Sequence, residues 1–247
     1  MKTVLITGCS SGFGLETARY FLDRDWQVVA TMRTPRDDVM RRSERLRVLA
    51  LDVTNPDSIR QAVQAAGPID ALVNNAGIGM LGALEGTSMQ VAREVFETNT
   101  FGTIAMTQAV LPQFRERKAG VIVNVTSSVT LKSLPLLSVY TASKAAINAF
   151  TESLALELQP FNVRVSLVLP GRAPETSFGA NARSRMQGNS PEAYAAFAQS
   201  VFAGMGQPSL ITRALDVAEA VWRAVNDASC PVRVAAGADA VALAESC

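Results

Sequence analysis

Short runs of β-branched and apolar residues alternate with helical stretches along almost the whole chain. No other feature limits the possible folds as much. The runs "TVLIT" (3–7), "QVVATM" (27–32), "RVLALDV" (47–53), "ALVNNAG" (71–77), "GVIVNVTS" (120–127), "VRVSLVLP" (163–170) and "VRVAAG" (232–237) read as strands. Residues 14–24, 58–66, 89–117, 140–158 and 214–226 read as helices between them. Continuously apolar strands point to burial on both faces, as in a parallel sheet. Regular β–α alternation then gives a doubly wound α/β fold with right-handed crossovers. No linker or repeat divides the 247 residues, so one domain over 1–247 is expected. The one irregular stretch, about 171–213, mixes prolines, Ser, Asn, Gly and scattered aromatics. Its position after a strand's carboxyl end suits a substrate lid.

Composition removes several function classes. The chain has no histidine, which excludes His-based triads, His–metal sites and His general bases. Acid–base chemistry must then use Tyr, Lys, Cys, Asp or Glu. A net charge of +1 gives no basic field for nucleic acid. Cys9, Cys230 and Cys247 are too few and too scattered for a disulfide framework or a zinc knuckle, and no metal is expected. The opening "MKTVLITG" is too short for the apolar region of a signal peptide, and no later run is long enough to span a bilayer. A cytoplasmic, reduced protein is the expectation.

The stretch "ITGCSSGFG", Ile6 to Gly14, follows the first strand and opens the first helix. One reading is a tight turn, since glycine tolerates positive φ. The other is a phosphate cradle, where bare backbone meets a pyrophosphate at a helix N-terminus. The position between strand and helix favours the cradle. Gly8 lets the chain turn, Gly12 and Gly14 permit close approach, and Ser10 and Ser11 can donate to phosphate oxygens. About 20 residues further on, dinucleotide folds place the group that reads the ribose 2′ position. This chain has Met32 and Arg33 there and no carboxylate, so a 2′-phosphate is favoured over a bare hydroxyl. The alternative for Arg33 is a solvated loop charge.

"YTASK" sets Tyr140 and Lys144 four apart, on one face of a helix. A free phenol near pKa 10 is a poor acid–base group at neutral pH, and a nearby ammonium favours its phenolate. Ser127 and Ser128 end the fifth strand, and Asn74 to Gly77 end the fourth. Turn chemistry explains either alone. With the glycine loop they converge on the carboxyl edge, where open α/β sheets bind ligands.

These motifs together resemble the short-chain dehydrogenase/reductase family. The resemblance covers nearly the whole chain: TGxxxGxG at Thr7–Gly14, NNAG at Asn74–Gly77, an Asn–Ser–Tyr–Lys set and Pro170–Gly171 after the sixth strand. It implies a single Rossmann domain with a seven-stranded parallel sheet in the order 3-2-1-4-5-6-7. It implies Ser127, Tyr140, Lys144 and Asn99 as the catalytic set, Ser128 being the runner-up to Ser127. Asn99 would hold a water that relays protons to Lys144. NADP(H) would lie against Gly8, Ser10, Ser11, Gly12, Phe13 and Gly14, with Ser11 and Arg33 flanking the 2′-phosphate. Asp52 and Val53 would meet adenine. Asn75, Ala76, Gly77, Tyr140, Lys144, Pro170 and Gly171 would complete the cofactor site. The family's Thr after Pro-Gly usually comes slightly earlier than Thr176, whose contact with the carboxamide is the least supported. The loop and "VVATMR" are most similar to the branch of steroid 17β-dehydrogenases and retinol dehydrogenases. A homodimer or homotetramer is implied, with the helices near 89–117 and 140–158 in the interface.

The expected activity is NADP(H)-dependent interconversion of a ketone or aldehyde and its alcohol, with Tyr140 as acid and base. Phe178, Met186, Tyr194, Phe197, Phe202 and Met205 in the lid predict an apolar cleft, as ligand pockets usually are. Ile78, Met80 and Leu81, with Leu134, Leu136 and Leu137, are the facing loops. A bulky, neutral, hydrophobic carbonyl compound or alcohol is the expected substrate. Two alternatives stand beside it: a 3-oxoacyl-carrier-protein reductase, which Arg172, Arg183 and Arg185 would suit, and a non-catalytic NADPH-binding regulator.

Overall fold

The computed structural model describes residues 1–36, 38–185, 191–205 and 210–246; Met186 and Cys247 lie outside the described residues, as does the Met205 side chain. Seven strands form one all-parallel sheet: β1 (Thr3–Ile6), β2 (Gln27–Met32), β3 (Leu46–Ala50), β4 (Ala71–Asn74), β5 (Gly120–Val125), β6 (Val163–Pro170) and β7 (Arg233–Ala236). Their order is 3-2-1-4-5-6-7, as the family resemblance implies. The order reverses between β1 and β4, so their carboxyl ends open a crevice there.

The period-2 pleat divides the core. In β1, Val4 and Ile6 pack on one face with Phe21 and Leu22 of α1 (Gly12–Leu22) and Val217 and Val221 of α8 (Ala214–Asn226). Leu5 faces the other way, toward Ile59 of α2 (Pro56–Ala66), Met106, Val110 and Phe114 of α4 (Gly102–Arg117), and Leu154 of α5 (Ser138–Leu158). Phe21 and Phe114 are fully buried, and truncating either to Ala would cost about 3–5 kcal/mol.

Three features depart from the sequence expectations. The strands stop earlier at their carboxyl ends, at Ala50, Asn74 and Val125. The long helix read over 89–117 is two helices, α3 (Met89–Phe96) and α4, joined by a π turn over Glu97–Phe101. The Thr-Asn-Thr at its centre is a poor helix interior, since its side chains compete for backbone partners. The stretch 171–213 is not wholly irregular: α6 (Phe178–Ser184) and α7 (Ala195–Met205) lie within it. One more helix, α9 (Ala238–Glu245), follows β7.

Candidate active site

The glycine loop is held by hydrogen bonds from the neighbouring β4 loop. Thr7 Oγ1 accepts the N–H groups of Asn75 and Ala76 at 3.0 and 2.9 Å. Asn75 Nδ2 donates to the carbonyls of Thr7 and Gly8 at 2.9 and 3.1 Å. Gly8 (φ 76°) and Gly12 (φ 59°) take the left-handed conformation. A Cβ on Gly14 would run into the Gly8 carbonyl and Asn75 Nδ2, so Gly14 serves the packing of loop on loop. Gly12 is the open one of the three: its nearest neighbour for a Cβ is Thr176 Cγ2, 3.5 Å away. Ser11 is the N-cap of α1 but makes no side-chain capping bond, and the first turn carries no acid. Its Oγ lies 3.3 Å from Ser177 Oγ. Exposed hydroxyls on Ser10 and Ser11 and uncapped N–H groups at the start of an eleven-residue helix are a donor set that fits a pyrophosphate.

Arg33 is exposed just beyond β2. The Thr54 N–H, and behind it the Thr54 hydroxyl and the Arg33 guanidinium, hold the Asp52 carboxyl below its ordinary range. Arg36, which sequence reasoning missed, reaches back to the loop, where its Nη2 donates to the Ser10 carbonyl at 3.0 Å. A loop arginine three residues past Arg33 carries no signal of its own. Val53 is buried; a Cβ on Gly102 would meet its Cγ2 at 2.8 Å, so Val53 packs on the start of α4.

The polar centre lies at the ends of β4 and β5. Asn74 and Asn124 are register partners, and Asn74 Nδ2 donates to Asn124 Oδ1 at 2.9 Å. Asn124 Nδ2 donates to Thr151 of α5 at 2.8 Å. This buried chain fixes α5 against the strand ends, and with it Tyr140 and Lys144. The Tyr140 hydroxyl is hydrogen-bonded to the Ser127 side chain, which also accepts the Val129 N–H at 3.3 Å. Lys144 Nζ donates to the Val125 carbonyl at 3.0 Å. A Cβ on Gly77 would stand 3.1 Å from Asn99 Oδ1 and 3.4 Å from Lys144 Nζ, so bare backbone separates the strand-end loop from both groups. The π turn aims Asn99 inward: its Oδ1 accepts the Ile78 N–H at 2.8 Å, and its Nδ2 donates to the Ile78 carbonyl and Ser143 Oγ, both at 3.0 Å.

Burial sets the proton affinities of this pair. It pushes the Tyr140 phenol up to about 12, with the Ser127 hydrogen bond opposing it. It pulls the Lys144 ammonium down to about 8. The sequence expectation was a phenol lowered by its lysine; here Lys144 is committed to the Val125 carbonyl, and desolvation prevails.

The segment read as a lid meets this centre through Phe178. The Phe178 and Tyr140 rings lie with centroids 5.6 Å apart at 56°. Ala182 is buried in a small cluster with Leu81, Ala83 and Leu136, against which Tyr194, Val201 and Phe202 pack. Tyr194 is hydrogen-bonded to Glu85. Phe197 and Leu134 are exposed, and Met80 packs instead against Val91 and Val95 of α3. Both stems of the lid are tied to α9. Asp239 accepts the Arg172 N–H and the Thr212 hydroxyl, each at 2.6 Å, and Thr212 Oγ1 accepts the Gly171 N–H at 2.9 Å. A side chain at Gly171 would collide with Asp239, which accounts for glycine after Pro170. Among the described residues, no helix is long and apolar enough to cross a membrane.

Comparison with known proteins agrees with this architecture. Residues 2–187 match the short chain dehydrogenase family. Retinol dehydrogenase 8 of Bos taurus is 42% identical over 184 residues, 69% of this chain and 58% of that protein. The chain thus spans less than two thirds of the length of that curated relative. A short chain dehydrogenase from Burkholderia cenocepacia J2315, solved in complex with NADP, is 28% identical, with a TM-score of 0.79 over 100% of this chain and 94% of that one. The 3-ketoacyl-(acyl-carrier-protein) reductase of Brucella melitensis, complexed with NADH, is 27% identical, with a TM-score of 0.77 over 95% and 96% of the two chains. With its seven-stranded sheet and a family match over most of its length, the chain belongs to the short-chain dehydrogenase/reductase family.

Proposed function

We propose that this protein interconverts a hydrophobic ketone or aldehyde and its alcohol, using NADP(H). The observation that carries the reading is the buried Tyr140 hydroxyl on Ser127, with Lys144 Nζ and Asn99 facing Gly77 at the same crevice. When bound, a reduced nicotinamide would supply hydride for the carbonyl carbon. Tyr140 gives its hydroxyl proton to the carbonyl oxygen, so that C=O becomes CH–OH, and takes a proton back in the reverse direction. Ser127 donates to that oxygen as charge develops on it. Lys144 is the cation beside the phenolate left behind, and Asn99 fixes the Gly77–Ile78 backbone next to it. The open backbone at Gly12 and the hydroxyls of Ser10 and Ser11 would hold the cofactor's pyrophosphate. Asn75, Ala76, Pro170 and Gly171 shape the crevice, Asp52 and Val53 border the adenine, and Thr176 sits over the loop.

Arg33, supported by Arg36 on the Ser10 carbonyl, favours the 2′-phosphate and hence NADP(H) over NAD(H). The apolar cluster of Leu81, Leu136 and Ala182 under residues 171–213 favours a neutral hydrophobic substrate. Exposed Phe101 and Leu156 on the α4 and α5 side support a homodimer or homotetramer. The exposed Arg183 of α6 keeps an acyl-carrier substrate as the second reading.

A panel of carbonyls and alcohols with both cofactors, read by nicotinamide absorbance, tests this. Tyr140→Phe keeps the ring packing and loses the transferable proton, so turnover falls by about 10²–10⁴-fold while NADPH still binds. Arg33→Ala weakens NADPH by roughly tenfold to a hundredfold, the worth of a charge-assisted hydrogen bond, and leaves NADH nearly unchanged. A Tyr140→Phe variant that keeps more than about a tenth of wild-type turnover removes Tyr140 from the proton-transfer role. A strong preference for acyl thioesters promotes the carrier-protein reading.

A further inference from the structure

We propose that Phe178, seated on the bare backbone of Gly79, is the specificity-determining residue of this site, and that it selects carbonyl compounds bearing a flat apolar group, aryl or conjugated, next to the reacting carbon. The inference rests on the reading of Tyr140 as the proton donor.

Phe178 opens α6, the first helix of the lid, yet its ring is not part of the lid's buried cluster. It is 38% exposed, with one side turned to the Tyr140 ring in a tilted pair. The tilted pair lies between the offset-stacked and edge-to-face arrangements, at a centroid distance within the range of aromatic contacts; such contacts are worth a few-fold to about tenfold beyond the area they bury. A ring held this way against the proton donor borders the space a substrate must enter.

The seat is specific. A Cβ on Gly79 would stand 2.7 and 2.9 Å from Phe178 Cζ and Cε1, and 2.9 Å from Ala182 Cβ. The ring keeps its place only because residue 79 has no side chain. Further along the lid, Tyr194 on Glu85 and Ala182 among Leu81 and Leu136 hold α6 and its neighbours down, so the ring leaves this seat only by turning about its own side chain, away from Tyr140. Residues 79 and 178, far apart in sequence, therefore act as one unit.

The experiment measures a series of ketones, from small alkyl through phenyl to two-ring, against wild type, Phe178→Ala, Phe178→Leu, Gly79→Ala and the Phe178→Ala/Gly79→Ala pair. Each ketone is read as kcat/KM with NADPH and, independently of turnover, as Kd by calorimetry in its presence. The expected result is that Phe178→Ala lowers the phenyl-to-alkyl preference about tenfold and improves the two-ring ketone. Phe178→Leu keeps the size limit and loses the aryl preference. Gly79→Ala lowers the same ratio in the wild-type background and leaves it unchanged in the Phe178→Ala background, where its remaining contact with Ala182 Cβ costs stability alone. NADPH affinity is unchanged throughout, which reports an intact fold. Equal effects on every ketone, or additive effects of the two substitutions, overturn the inference. If no ketone turns over with the wild type, the reductase reading falls, and the Kd series still decides the role of Phe178.

Discussion

The glycine loop and the lid segment, 171–213, meet at Ser11 and Ser177, but they are built on different scales. Around the loop, backbone touches backbone: Gly8 and Gly14 face Asn75 and Ala76 with no room for a methyl group, and four hydrogen bonds of 2.9–3.1 Å join Thr7 and Gly8 to the β4 loop. The lid touches the body through side chains: Ala182, Tyr194 and Phe202 on Leu81 and Leu136, and Phe178 on Tyr140. Gly179 and Gly204, inside its helices, would meet nothing with an added Cβ. One side is fixed by geometry that only particular residues satisfy. The other is held mostly by apolar side-chain contacts that many residues satisfy, with the Gly79–Phe178 seat the exacting exception, and pinned at its stems by Asp239. Under the proposed function, the difference suits a rigid edge for the cofactor and an adaptable one for the substrate.

A methyl group added to the loop is the harshest test. Gly14→Ala would drive a Cβ into the Gly8 carbonyl and Asn75 Nδ2. The clash is with backbone and with a side chain already bonded twice, so neither can move cheaply. Destabilisation is expected at or above the top of the ~1–3 kcal/mol range for overpacking. NADPH affinity should fall with it, since the displaced Gly8–Gly12 turn carries the open backbone. Urea denaturation and a fluorescence titration with NADPH measure both. A cost below about 1 kcal/mol would show the loop to be as forgiving as the lid.

The same contrast explains what the sequence disclosed. TGxxxGxG, NNAG and Tyr-x-x-x-Lys stood out because steric and hydrogen-bond demands at Gly8, Gly14, Asn74 and Asn75 leave few alternatives. The sheet order is as the family resemblance implied, and the structure puts the Tyr140 hydroxyl on Ser127. The π turn at Glu97–Phe101 was not visible, since Thr-Asn-Thr weakens a helix without saying which irregularity replaces it. The lid helices, the Gly79–Phe178 seat and the Asp239 clamp were hidden for another reason. Each depends on which distant segment a commonplace Gly, Phe or Asp meets, and no local pattern records that. The rise of the Tyr140 phenol was missed likewise, because burial beneath Phe178 is a tertiary fact.

The clamp gives an intermediate test, at a place where the lid's stems are held by polar geometry. Asp239→Ala removes the acceptor for the Arg172 N–H and for the Thr212 hydroxyl. Thr212 is fully buried, although its hydroxyl also lies 2.9 Å from the Ala236 carbonyl and can turn to it. The Arg172 N–H is at an exposed residue and can find water. The cost should therefore be about 1–2 kcal/mol, the lower part of the range for a lost buried partner. Its location matters more than its size. Amide hydrogen exchange should quicken at residues 171–172 and 212 and leave the glycine loop unchanged. Faster exchange at Thr7 to Gly14 would mean that the two sides of the crevice are mechanically one.

The smallest effect is expected within the lid itself, and its sign is the point. Gly179 is the second residue of α6, has no positive φ, and would meet nothing within 4 Å if it carried a Cβ. Gly179→Ala therefore adds no clash. It lowers the freedom of the unfolded chain and favours the helix, which is worth about 0.5–1 kcal/mol. The gain should stabilise α6 locally, seen as slower amide exchange over 178–184. It reaches the global unfolding midpoint only to the extent that the lid unfolds together with the sheet. Gly14→Ala and Gly179→Ala are the same chemical change, one methyl group on one glycine, and opposite signs are expected from them. A destabilising Gly179→Ala would show that α6 is seated as tightly as the loop, and that the lid's apolar contacts are as exacting as the backbone contacts across the crevice.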